Sequence, residues 1–563
     1  MKRPNTILIV ENEAQVREAT RLRLETRGYR VFAAETAGEA RQILERERVY
    51  LVIIDVRLQD DKDPNDVSGL DLAADLGPEV TKIILTGFRT PEVTRSALIG
   101  YLKQVAPAQD VIAKQDGPRK LLEAVKRVFI SEVYDQINFS LQIHYDRGLL
   151  LQALMAPLEG LASIDNLKEV EVEELFRRLF RQETEIKVYY IPPGRGGTSV
   201  ALVKPIYYNG MEGSPLVVKF GPVEQINTEI SAYRDHVEPF VLRHSTVLVG
   251  QPVRTHRLAG CKLLFVGCSV DRPQDFNTFY RDRNTSNEKL QQVIRNIFTQ
   301  SCGIWYKGKR GWDTFDGSLF ESMEQQLSLD LTSDRSELKV ALNSLLDEKP
   351  FHHVTFDREA PQSLRVQVDG TEKELPNPLF ILPQLRNRLP TPAFVAITHG
   401  DLNGRNLFVD ETGSAWLIDF YRTGWGPALR DAAELESAIK FELMQSTNLP
   451  ALLAFEDALA TPATFSERLA LSHRASGKAF QRAIAAIQTV REAAYDIAEM
   501  ECMDEYYALL LFYALKMITW KGISSIDKQR QPIRQRHALY SAVLLSAKFV
   551  PQDKPVAQEV HIV

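Results

Sequence analysis

The segment from His399 to Asp419 combines side chains whose types and spacing suit phosphoryl transfer. This chemistry needs an acid that orients the attacking nucleophile and accepts its proton, and oxygen ligands for the magnesium ion that bridges the phosphates of ATP. Asp401 fits the first role. Asn406 and Asp419 fit the second because they flank two short apolar runs that predict a hairpin. Incidental acids on a surface loop are the alternative, which the agreement of residue type, spacing and strand context disfavours. The sequence reads Ile397-Thr-His-Gly-Asp-Leu-Asn-Gly-Arg-Asn-Leu-Phe-Val409, then Trp416-Leu-Ile-Asp-Phe420.

Residues 185 to 270 are β-rich and contain a glycine-rich turn. The predicted strands are Ile186–Ile191, Ser199–Lys204, Pro215–Phe220, Thr246–Val249 and Lys262–Val266. The turn between the first two includes Gly194, Gly196 and Gly197, whose backbone N–H groups can approach phosphates without obstruction by a Cβ atom. Ordinary hairpin turns are also rich in glycine, so the turn alone leaves both interpretations open.

Lys219 lies in Leu216-Val-Val-Lys-Phe220, a run that otherwise predicts a buried strand. A buried ammonium group needs a partner. Glu229, in the helical pattern Val223–Tyr233, is the expected partner, and Glu224 is the competing choice.

These motifs together resemble the protein-kinase-like phosphotransferases, in particular the aminoglycoside and choline kinase branch, over roughly residues 185 to 440. The resemblance implies a two-lobed α+β fold that uses ATP and magnesium. It also implies that Lys219 contacts the α- and β-phosphates, that His399 orients the catalytic loop, and that Asp431 braces the backbone of that loop. The chain departs from typical protein kinases at Ser199, which replaces the third glycine of the turn, and after Asp419, where no glycine completes the usual triplet.

The first 130 residues alternate between apolar runs and helical patterns, which predicts a parallel α/β sheet. Four polar residues follow buried runs: Glu11, Asp55, Thr86 and Lys114. Because the carboxyl ends of parallel strands meet at one edge of a sheet, we expect these side chains to converge. Asp55 would accept a phosphoryl group, Thr86 and Lys114 would bind its oxygens, and nearby acids would hold a divalent ion.

This constellation resembles the receiver domain of two-component response regulators. The resemblance implies a flavodoxin-like, doubly wound fold and phosphorylation of Asp55 by a histidine kinase. Asn12, after Glu11, takes the position of the aspartate that ligates the metal directly in the family. The acidic loop 58–66 places like charges beside Asp55, and these are expected to oppose a further dianion.

The predicted organisation is a receiver domain at 1–130, a mostly helical connector at 131–181, a kinase-like N-lobe at 182–270, a C-lobe at 271–465 with a long insertion before the catalytic loop, and a helical part at 466–563. The insertion contains a predicted hairpin, Ser363–Val368 and Thr371–Leu375, joined by Asp369-Gly370. The basic segment 528–536 is interpreted as a solvated loop.

The composition limits the class of protein. The chain has 563 residues, 44% of them hydrophobic, a formal net charge of −6 and four cysteines. Its apolar run Tyr506–Leu515 is about half the length of a membrane span, and no signal-peptide pattern occurs, so we expect a cytoplasmic protein. No helix-turn-helix or other nucleic-acid-binding module is evident.

The leading hypothesis is a receiver-regulated, ATP- and magnesium-dependent phosphotransferase acting on a hydroxyl of an unidentified small molecule or protein. The alternative is a non-catalytic signalling scaffold that binds nucleotide or partner proteins.

Overall fold

A computed structural model describes residues 2–60, 63, 65–76, 80–87, 97, 108–146, 151–158, 169–190, 197–240, 245–265, 274–333, 335–348, 350–521 and 525–550. The chain divides into two compact units. The first comprises Met1–Ile226 and Leu248–Leu264, and the second comprises Asn227–Val247 and Phe265–Val563. Among the described residues, no helix combines the length and the apolar character needed to cross a membrane.

In the described part of residues 2–146, five parallel strands form a sheet in the order β2-β1-β3-β4-β5. Strands β1 and β3 are buried along their whole length, as expected when helices cover both faces of a parallel sheet. The strand order is that of the doubly wound flavodoxin-like fold, so this prediction is confirmed. The strands are Thr6–Val10, Arg30–Ala34, Leu51–Asp55, Lys82–Thr86 and Asp110–Ala113 (β1–β5), and the helices are Ala14–Glu25, Ala37–Arg46, Ser68–Asp75 and Pro118–Val128 (α1–α4), with a π-helical turn at Phe129–Tyr134.

A second sheet follows, in the order β10-β11-β9-β8-β7-β6. It contains all five strands predicted between residues 185 and 270, with ends shifted by a few residues. Its strands are Gln142–Tyr145, Glu183–Tyr190, Ser199–Tyr207, Leu216–Pro222, Thr246–Arg254 and Leu258–Phe265 (β6–β11). Helices Leu151–Met155 (α5) and Glu169–Leu179 (α6) and a 3-10 turn, Ala156–Leu158, precede β7.

The segment 131–181 differs from the predicted helical connector. Residues Gln142–Tyr145 form a strand that pairs in parallel with β7. Phe176 and Leu175 of α6 are fully buried in one hydrophobic cluster with Val203 and Phe220 of the sheet. Apolar residues between Leu141 and Phe180 therefore complete the core of the second sheet, whereas Val133 and Ile137 lie in the core of the first sheet.

The second unit combines short sheets with many helices. Its strands are Gln274–Asp275, Arg310–Gly311, Val354–Ala360, Ser363–Val368, Thr371–Pro376, Phe394–Thr398, Leu407–Val409, Ala415–Leu417 and Gly424–Pro427 (β12–β20). Helix Val223–Ala232 (α7) leads into it, and its other helices are Phe276–Arg281, Asn287–Asn296, Gly303–Lys307, Leu319–Leu327, Glu337–Asp347, Pro378–Leu385, Arg430–Ala438, Leu449–Ala460, Lys478–Ala498, Asp504–Thr519 and Ser525–Ala547 (α8–α18). Shorter 3-10 or π-helical turns lie at Tyr233–Val237, Ile297–Ser301, Trp312–Thr314, Phe420–Arg422, Ile439–Leu443 and His473–Ala475.

Helices α16, α17 and α18 lie in the predicted helical C-terminal part. The apolar run in α17 is buried in the protein core. The predicted hairpin β15–β16 is also confirmed, and Asp369 and Gly370 both have positive φ angles at its turn. The interpretation of 528–536 as a solvated loop is wrong: the segment lies inside α18, where Arg534 and Arg536 are buried.

Candidate functional sites

A β-hairpin brings the two predicted magnesium ligands of the second unit together. Strands β18 and β19 pair antiparallel, and the Ile418 amide donates a 3.0 Å hydrogen bond to the Asn406 carbonyl oxygen. Asn406 therefore lies across the hairpin from Ile418, whose neighbour is Asp419. Asp419 adopts a left-handed conformation, with φ of 67°. The juxtaposition predicted from the sequence is present in the backbone.

Two side-chain amides orient the Asp401 carboxylate. Asn406 Nδ2 donates to the backbone oxygen of Asp401 at 2.8 Å and to its Oδ2 atom at 2.9 Å. Asn403 Nδ2 donates to the Oδ1 atom at 2.9 Å. Both carboxylate oxygens are thus fixed, which leaves little freedom in the side chain that we predicted to be catalytic.

Asp431 braces the backbone that precedes Asp401. Its two carboxylate oxygens accept hydrogen bonds from the amides of His399, at 2.8 Å, and Gly400, at 2.9 Å. The hydroxyl of Tyr306 donates to the same carboxylate at 2.8 Å. Asp431 is fully buried, so these donors supply the partners that a buried carboxylate requires. The bracing role predicted for Asp431 is confirmed.

His399 is fully buried and connects the loop to the hairpin. Its Nε2 atom lies 3.0 Å from the Ile418 carbonyl oxygen, and its ring centroid lies 5.6 Å from that of Phe420. The hydroxyl of Thr423 donates to the His399 carbonyl oxygen at 3.1 Å. The contacts fit the orienting role that the kinase resemblance implies.

Glu434 is a site residue that the sequence reasoning missed. Its Oε2 atom accepts hydrogen bonds from the Leu402 amide at 3.0 Å and from the Tyr513 hydroxyl at 3.2 Å. Burial, and then the charge of Asp401, raise the pKa of Glu434 to about 8. The sequence did contain a signal for Glu434: it lies three residues after Asp431, and residues i and i+3 share one face of a helix.

The donor set at the hairpin fits a magnesium ion. The Asn406 amide nitrogen is used in the bonds to Asp401, so its Oδ1 oxygen and the Asp419 carboxylate are the oxygen ligands that this chain offers. Throughout the described ranges, no cluster of three or more His, Cys, Asp and Glu residues is arranged to hold a metal. A site with these two protein ligands therefore relies on phosphate or water oxygens for its remaining ligands, as magnesium commonly does.

The residues predicted to bind nucleotide are only partly described. Gly194 and Gly196 lie outside the described residues, whereas Gly197 has a φ of 69°. Lys219 lies in β9, paired with Val200 of β8, and is 4% exposed. In α7, Glu229 is likewise 4% exposed, whereas Glu224 is exposed. The pairing of Lys219 with either glutamate stays a prediction.

At the carboxyl edge of the first sheet, Lys114 bridges two carboxylates. Its Nζ atom lies 2.8 Å from Asp55 Oδ2 and 2.8 Å from Glu11 Oε2. Thr86, at the end of β4, is buried like both acids. The four residues predicted to converge thus lie at the ends of β1, β3, β4 and β5, and Lys114 contacts both Glu11 and Asp55.

Charge interactions shift the acid–base properties of this site. Burial and the neighbouring charge of Asp55 raise the pKa of Glu11 from 4.5 to about 7. Burial by itself lowers the pKa of Lys114, but hydrogen bonds to Asp55 and Glu11 more than offset this effect and raise it. Lys114 therefore stays charged and neutralises the pocket when no phosphoryl group is present.

Asn12 also fits a metal in the receiver site. Its Oδ1 atom is buried and makes no hydrogen bond with any described residue. The guanidinium group of Arg17 holds the local backbone by donating to the carbonyl oxygens of Glu11, at 2.6 Å, and Asn12, at 3.0 Å. Glu11, Asn12 and Asp55 supply the oxygen ligands that a divalent cation prefers, although Asn12 contributes no charge.

Backbone amides of the acidic loop after Asp55 stabilise the charge of Asp66. Asp66 accepts hydrogen bonds from the amides of Gln59 at 2.8 Å, Asp60 at 2.9 Å and Ser68 at 2.9 Å. These bonds, together with one from the Ser68 hydroxyl, outweigh the effect of burial and lower the pKa of Asp66 to about 2. The Asp66 charge is thus used to hold the loop.

Two protein families match parts of the chain. Residues 7–126 match the family described as response regulator receiver domain, and residues 356–519 match the family described as ternary complex associated domain 9. The first 130 residues therefore contain a receiver domain, as predicted.

Two transcriptional regulatory proteins are similar to part of this chain. The transcriptional regulatory protein GlrR from Escherichia coli (strain K12) and the transcriptional regulatory protein QseF from Escherichia coli O157:H7 are each 29% identical over 166 residues, which cover 24% of this chain and 36% of each relative. The chain thus spans about a third of the length of these relatives.

Solved structures of receiver and response-regulator proteins are also similar to about a quarter of this chain. A CheY-like receiver domain protein from Methanospirillum hungatei JF-1 is 31% identical and covers 23% of this chain and 98% of its own, with a TM-score of 0.20. A response regulator from Thermotoga maritima is 25% identical over 23% of this chain and 99% of its own, with a TM-score of 0.19.

Proposed function

We propose that this receiver-domain signalling protein is a regulated phosphotransferase. In this proposal a phosphodonor such as a histidine kinase phosphorylates Asp55, and the second unit transfers a phosphoryl group from ATP to a hydroxyl acceptor. The observation that carries the catalytic part is the braced loop His399-Gly400-Asp401, with its backbone held by Asp431 and its carboxylate held by Asn406.

A fixed carboxylate favours phosphoryl transfer because this chemistry depends mainly on positioning and electrostatics. Asp401 would accept the proton of the acceptor hydroxyl. Neither oxygen of Asp401 can turn away without losing a bond to Asn403 or Asn406. A surface loop with incidental acids does not need such restraint, so the bonds favour the catalytic interpretation.

Magnesium, when bound, would neutralise the charge that develops on the phosphates. Asn406 and Asp419 would hold it, and Lys219 would contact the α- and β-phosphates. Glu434 would be uncharged over much of the neutral pH range. Its carboxyl group would therefore not repel the nearby carboxylate of Asp401. Asp401, Asp419 and Lys219 have different proposed roles, so separate substitutions can test proton transfer, metal binding and phosphate binding.

The receiver site supports a phosphoryl-accepting role for Asp55. One Asp55 oxygen, Oδ2, is paired with Lys114, while Oδ1 accepts a 2.8 Å hydrogen bond from the Val56 amide. An incoming phosphoryl group would take over Lys114 and Thr86 as partners. Because the neutral Asn12 replaces a charged metal ligand, we expect weaker magnesium binding than two acids would give.

ATP turnover and nucleotide binding test the catalytic proposal. We expect Asp401→Asn in the full chain to lower magnesium-dependent ATP turnover by roughly 10²-fold or more, the scale of general acid–base contributions, while leaving ATP binding intact. Asp419→Asn should instead weaken binding of ATP with magnesium.

Glu411→Gln is the matched control because Glu411 is an exposed acid at the turn of the same hairpin. Its ATP turnover should equal that of the wild-type protein. Equal turnover in wild-type protein and Asp401→Asn would refute the catalytic proposal. Metal-dependent ATP binding without any turnover would favour a non-catalytic scaffold.

A regulator of transcription is the second candidate because GlrR and QseF are transcriptional regulatory proteins. Their similarity covers only about a quarter of this chain. Salt-dependent binding of the full chain to DNA, with a preference among sequences, would support this candidate.

A further inference from the structure

Two side chains of helix α14 hold the peptide groups on either side of Asp401. Arg430 Nη2 donates a 2.6 Å hydrogen bond to the carbonyl oxygen of Gly400. Glu434 Oε2 accepts a 3.0 Å hydrogen bond from the amide of Leu402. Arg430 and Glu434 are four residues apart and therefore lie on one face of the helix. This face thus contacts the loop immediately before and immediately after Asp401.

Tyr513 of helix α17 connects the two side chains. Its hydroxyl donates a 3.2 Å hydrogen bond to Glu434 Oε2 and is hydrogen-bonded to the Arg430 guanidinium group. A hydroxyl can donate one hydrogen bond and accept another, so both contacts can form at once. Tyr513 is 5% exposed and Arg430 is 2% exposed. Together, Arg430, Glu434 and Tyr513 form a buried clamp around Asp401.

The clamp restricts both backbone torsions of Asp401. A residue has two soft backbone torsions, φ and ψ, and each one turns the residue relative to a neighbouring planar peptide group. The Gly400 carbonyl oxygen belongs to the peptide group before Asp401, and the Leu402 amide belongs to the one after it. Because the clamp holds both groups, neither torsion can change freely without breaking a hydrogen bond. The backbone of Asp401 therefore keeps one orientation relative to helix α14.

Close packing at Gly400 brings the clamp to the loop backbone. Gly400 has a φ of 77°, and a Cβ atom there would lie 2.8 Å from Arg430 Nη1 and 2.3 Å from the Arg422 carbonyl oxygen. A residue without a Cβ atom therefore lets the guanidinium group approach the backbone. The contact with Arg430 depends on glycine at this position.

The clamp lies among three carboxyl groups and one guanidinium group. Burial, and then the charge of Asp401, raise the pKa of Glu434 to about 8, while Arg430 opposes this effect and Asp431 adds to it. Glu434 is therefore largely protonated at pH 7. It can hold the Leu402 amide without placing another full negative charge beside Asp401. Glutamine keeps an acceptor oxygen and carries no charge, so it is the matched replacement for this carboxyl group.

We propose that Arg430, Glu434 and Tyr513 are positioning residues for Asp401, through which helix α17 controls the efficiency of phosphoryl transfer. The effect on turnover rests on the proposed function, whereas the restraint on the loop is measurable without turnover. Each of the three acts through the backbone of residues 400–402. A displacement of about 1 Å in a reacting group can lower a rate roughly 100-fold, so restraint of this backbone matters for catalysis.

Tyr513→Phe tests the clamp because it removes only the hydroxyl that joins Arg430 and Glu434. In the full chain, we expect the kcat of magnesium-dependent ATP turnover to fall roughly tenfold, as for the loss of one buried hydrogen-bond partner. The KM for ATP should stay unchanged, because the proposed nucleotide and metal ligands are intact.

Tyr507→Phe is the matched control. Tyr507 lies on the same helix, and its buried hydroxyl donates a 2.7 Å hydrogen bond to the Pro462 carbonyl oxygen, outside the clamp. Both substitutions should lower the midpoint of denaturant unfolding to a similar extent, but only Tyr513→Phe should lower kcat. Wild-type kcat in Tyr513→Phe, or an equal loss of kcat in both variants, would overturn the inference.

A pair of substitutions at Glu434 separates positioning from packing. Glu434→Leu removes the acceptor of the Leu402 amide and should lower kcat roughly 100-fold. Glu434→Gln keeps an acceptor and should restore most of the turnover that Glu434→Leu loses. Failure of glutamine to restore turnover would overturn the inference.

Hydrogen exchange at the Leu402 amide distinguishes failure of this inference from failure of the proposed function. Exchange should be faster in Tyr513→Phe than in the wild-type protein, and unchanged in Tyr507→Phe. If the wild-type protein turns over no ATP, the proposed function fails and exchange decides alone. Faster exchange in Tyr513→Phe would then support the clamp as a restraint on the loop, and unchanged exchange would overturn it.

Discussion

The hydroxyl of Tyr50 donates a 2.7 Å hydrogen bond to Glu174 Oε2, which joins the receiver domain to helix α6 of the next domain. Arg48 pairs with the same carboxylate, and Arg178 Nε lies 2.7 Å from its other oxygen. Glu174 is 1% exposed. Tyr50 precedes β3, and Asp55 ends that strand, so this contact and the proposed phosphoryl acceptor lie at opposite ends of one strand.

Removal of Glu174 should therefore destabilise the first unit strongly. Glu174→Ala leaves Arg48 and Arg178 without their shared carboxylate, and we expect a loss of about 3–5 kcal/mol in the free energy of unfolding, as for other broken buried ion pairs. Tyr50→Phe removes one hydrogen bond and should cost about 1 kcal/mol. Denaturant unfolding measures both. Glu169→Ala, at the exposed start of the same helix, is the control; a loss as large as that of Glu174→Ala would contradict this account.

Acetyl phosphate should label Asp55 in the presence of magnesium. We expect the label in wild-type protein and not in Asp55→Asn, as measured by phosphate-affinity electrophoresis or intact-protein mass. Asn12→Asp adds an anionic ligand and should strengthen magnesium binding roughly tenfold, because ligand charge tunes the affinity for hard cations. Labelling that persists in Asp55→Asn would place the phosphoryl group elsewhere.

The receiver fold was predictable because its signals are local. Buried apolar runs fix β1 and β3, and the Thr36 hydroxyl caps α2 by accepting from the Glu39 amide at 3.2 Å. Strand β6 was missed because four residues carry little periodicity and their partner, β7, starts 41 residues later. Pairing with a strand so distant in the sequence cannot be predicted from residues 142–145 alone.

The candidate sites divide in the same way. Asp401, Asn406 and Asp419 share a short motif, so their spacing predicted their proximity. The burial of Glu174 was not predictable, because its partner Tyr50 lies 124 residues earlier in the chain. The charged residues around Glu174 form the same helical pattern whether this face of the helix is exposed to solvent or buried against an ionic partner. Only the tertiary contacts show that Glu174 is buried.

Gly69 should not tolerate a side chain, whereas Gly87 should. A Cβ atom at Gly69 would lie 1.7 Å from the Asp55 carbonyl oxygen, and the Gly69 amide donates to Val56 at 2.8 Å. Gly69→Ala must therefore displace the backbone at Asp55, and we expect a loss of about 3 kcal/mol or more, beyond the usual range for single substitutions. Gly87→Ala is the control because nothing lies within 4 Å of its Cβ position. Equal unfolding free energies for the two variants would contradict the prediction.

Asp431→Asn should loosen the loop His399-Gly400-Asp401 while keeping nearly the same side-chain volume at position 431. In the variant, an NH2 group that cannot accept a hydrogen bond replaces one carboxylate oxygen, so either the His399 or the Gly400 amide loses its partner at a cost of about 1–3 kcal/mol. Hydrogen exchange should then quicken at these two amides relative to the wild-type protein. Asp410→Asn, which alters the hairpin turn instead, should leave exchange at these amides unchanged. Unchanged exchange in Asp431→Asn would argue against bracing by this carboxylate.

Glu505 should make the second unit less stable as the pH rises. Burial raises the pKa of Glu505 to about 7 from 4.5, and its Oε2 atom accepts from the Ala393 amide at 2.9 Å. Since the folded state binds the proton more tightly, this group's contribution to stability is fully present below pH 4.5 and is lost as the pH rises through 7. Glu505→Gln keeps an acceptor and cannot ionise. We therefore expect similar unfolding free energies for variant and wild type near pH 5, and a variant more stable by up to about 3 kcal/mol at pH 8. Denaturant unfolding at both pH values measures the difference, and a constant difference would show that Glu505 does not ionise across this range.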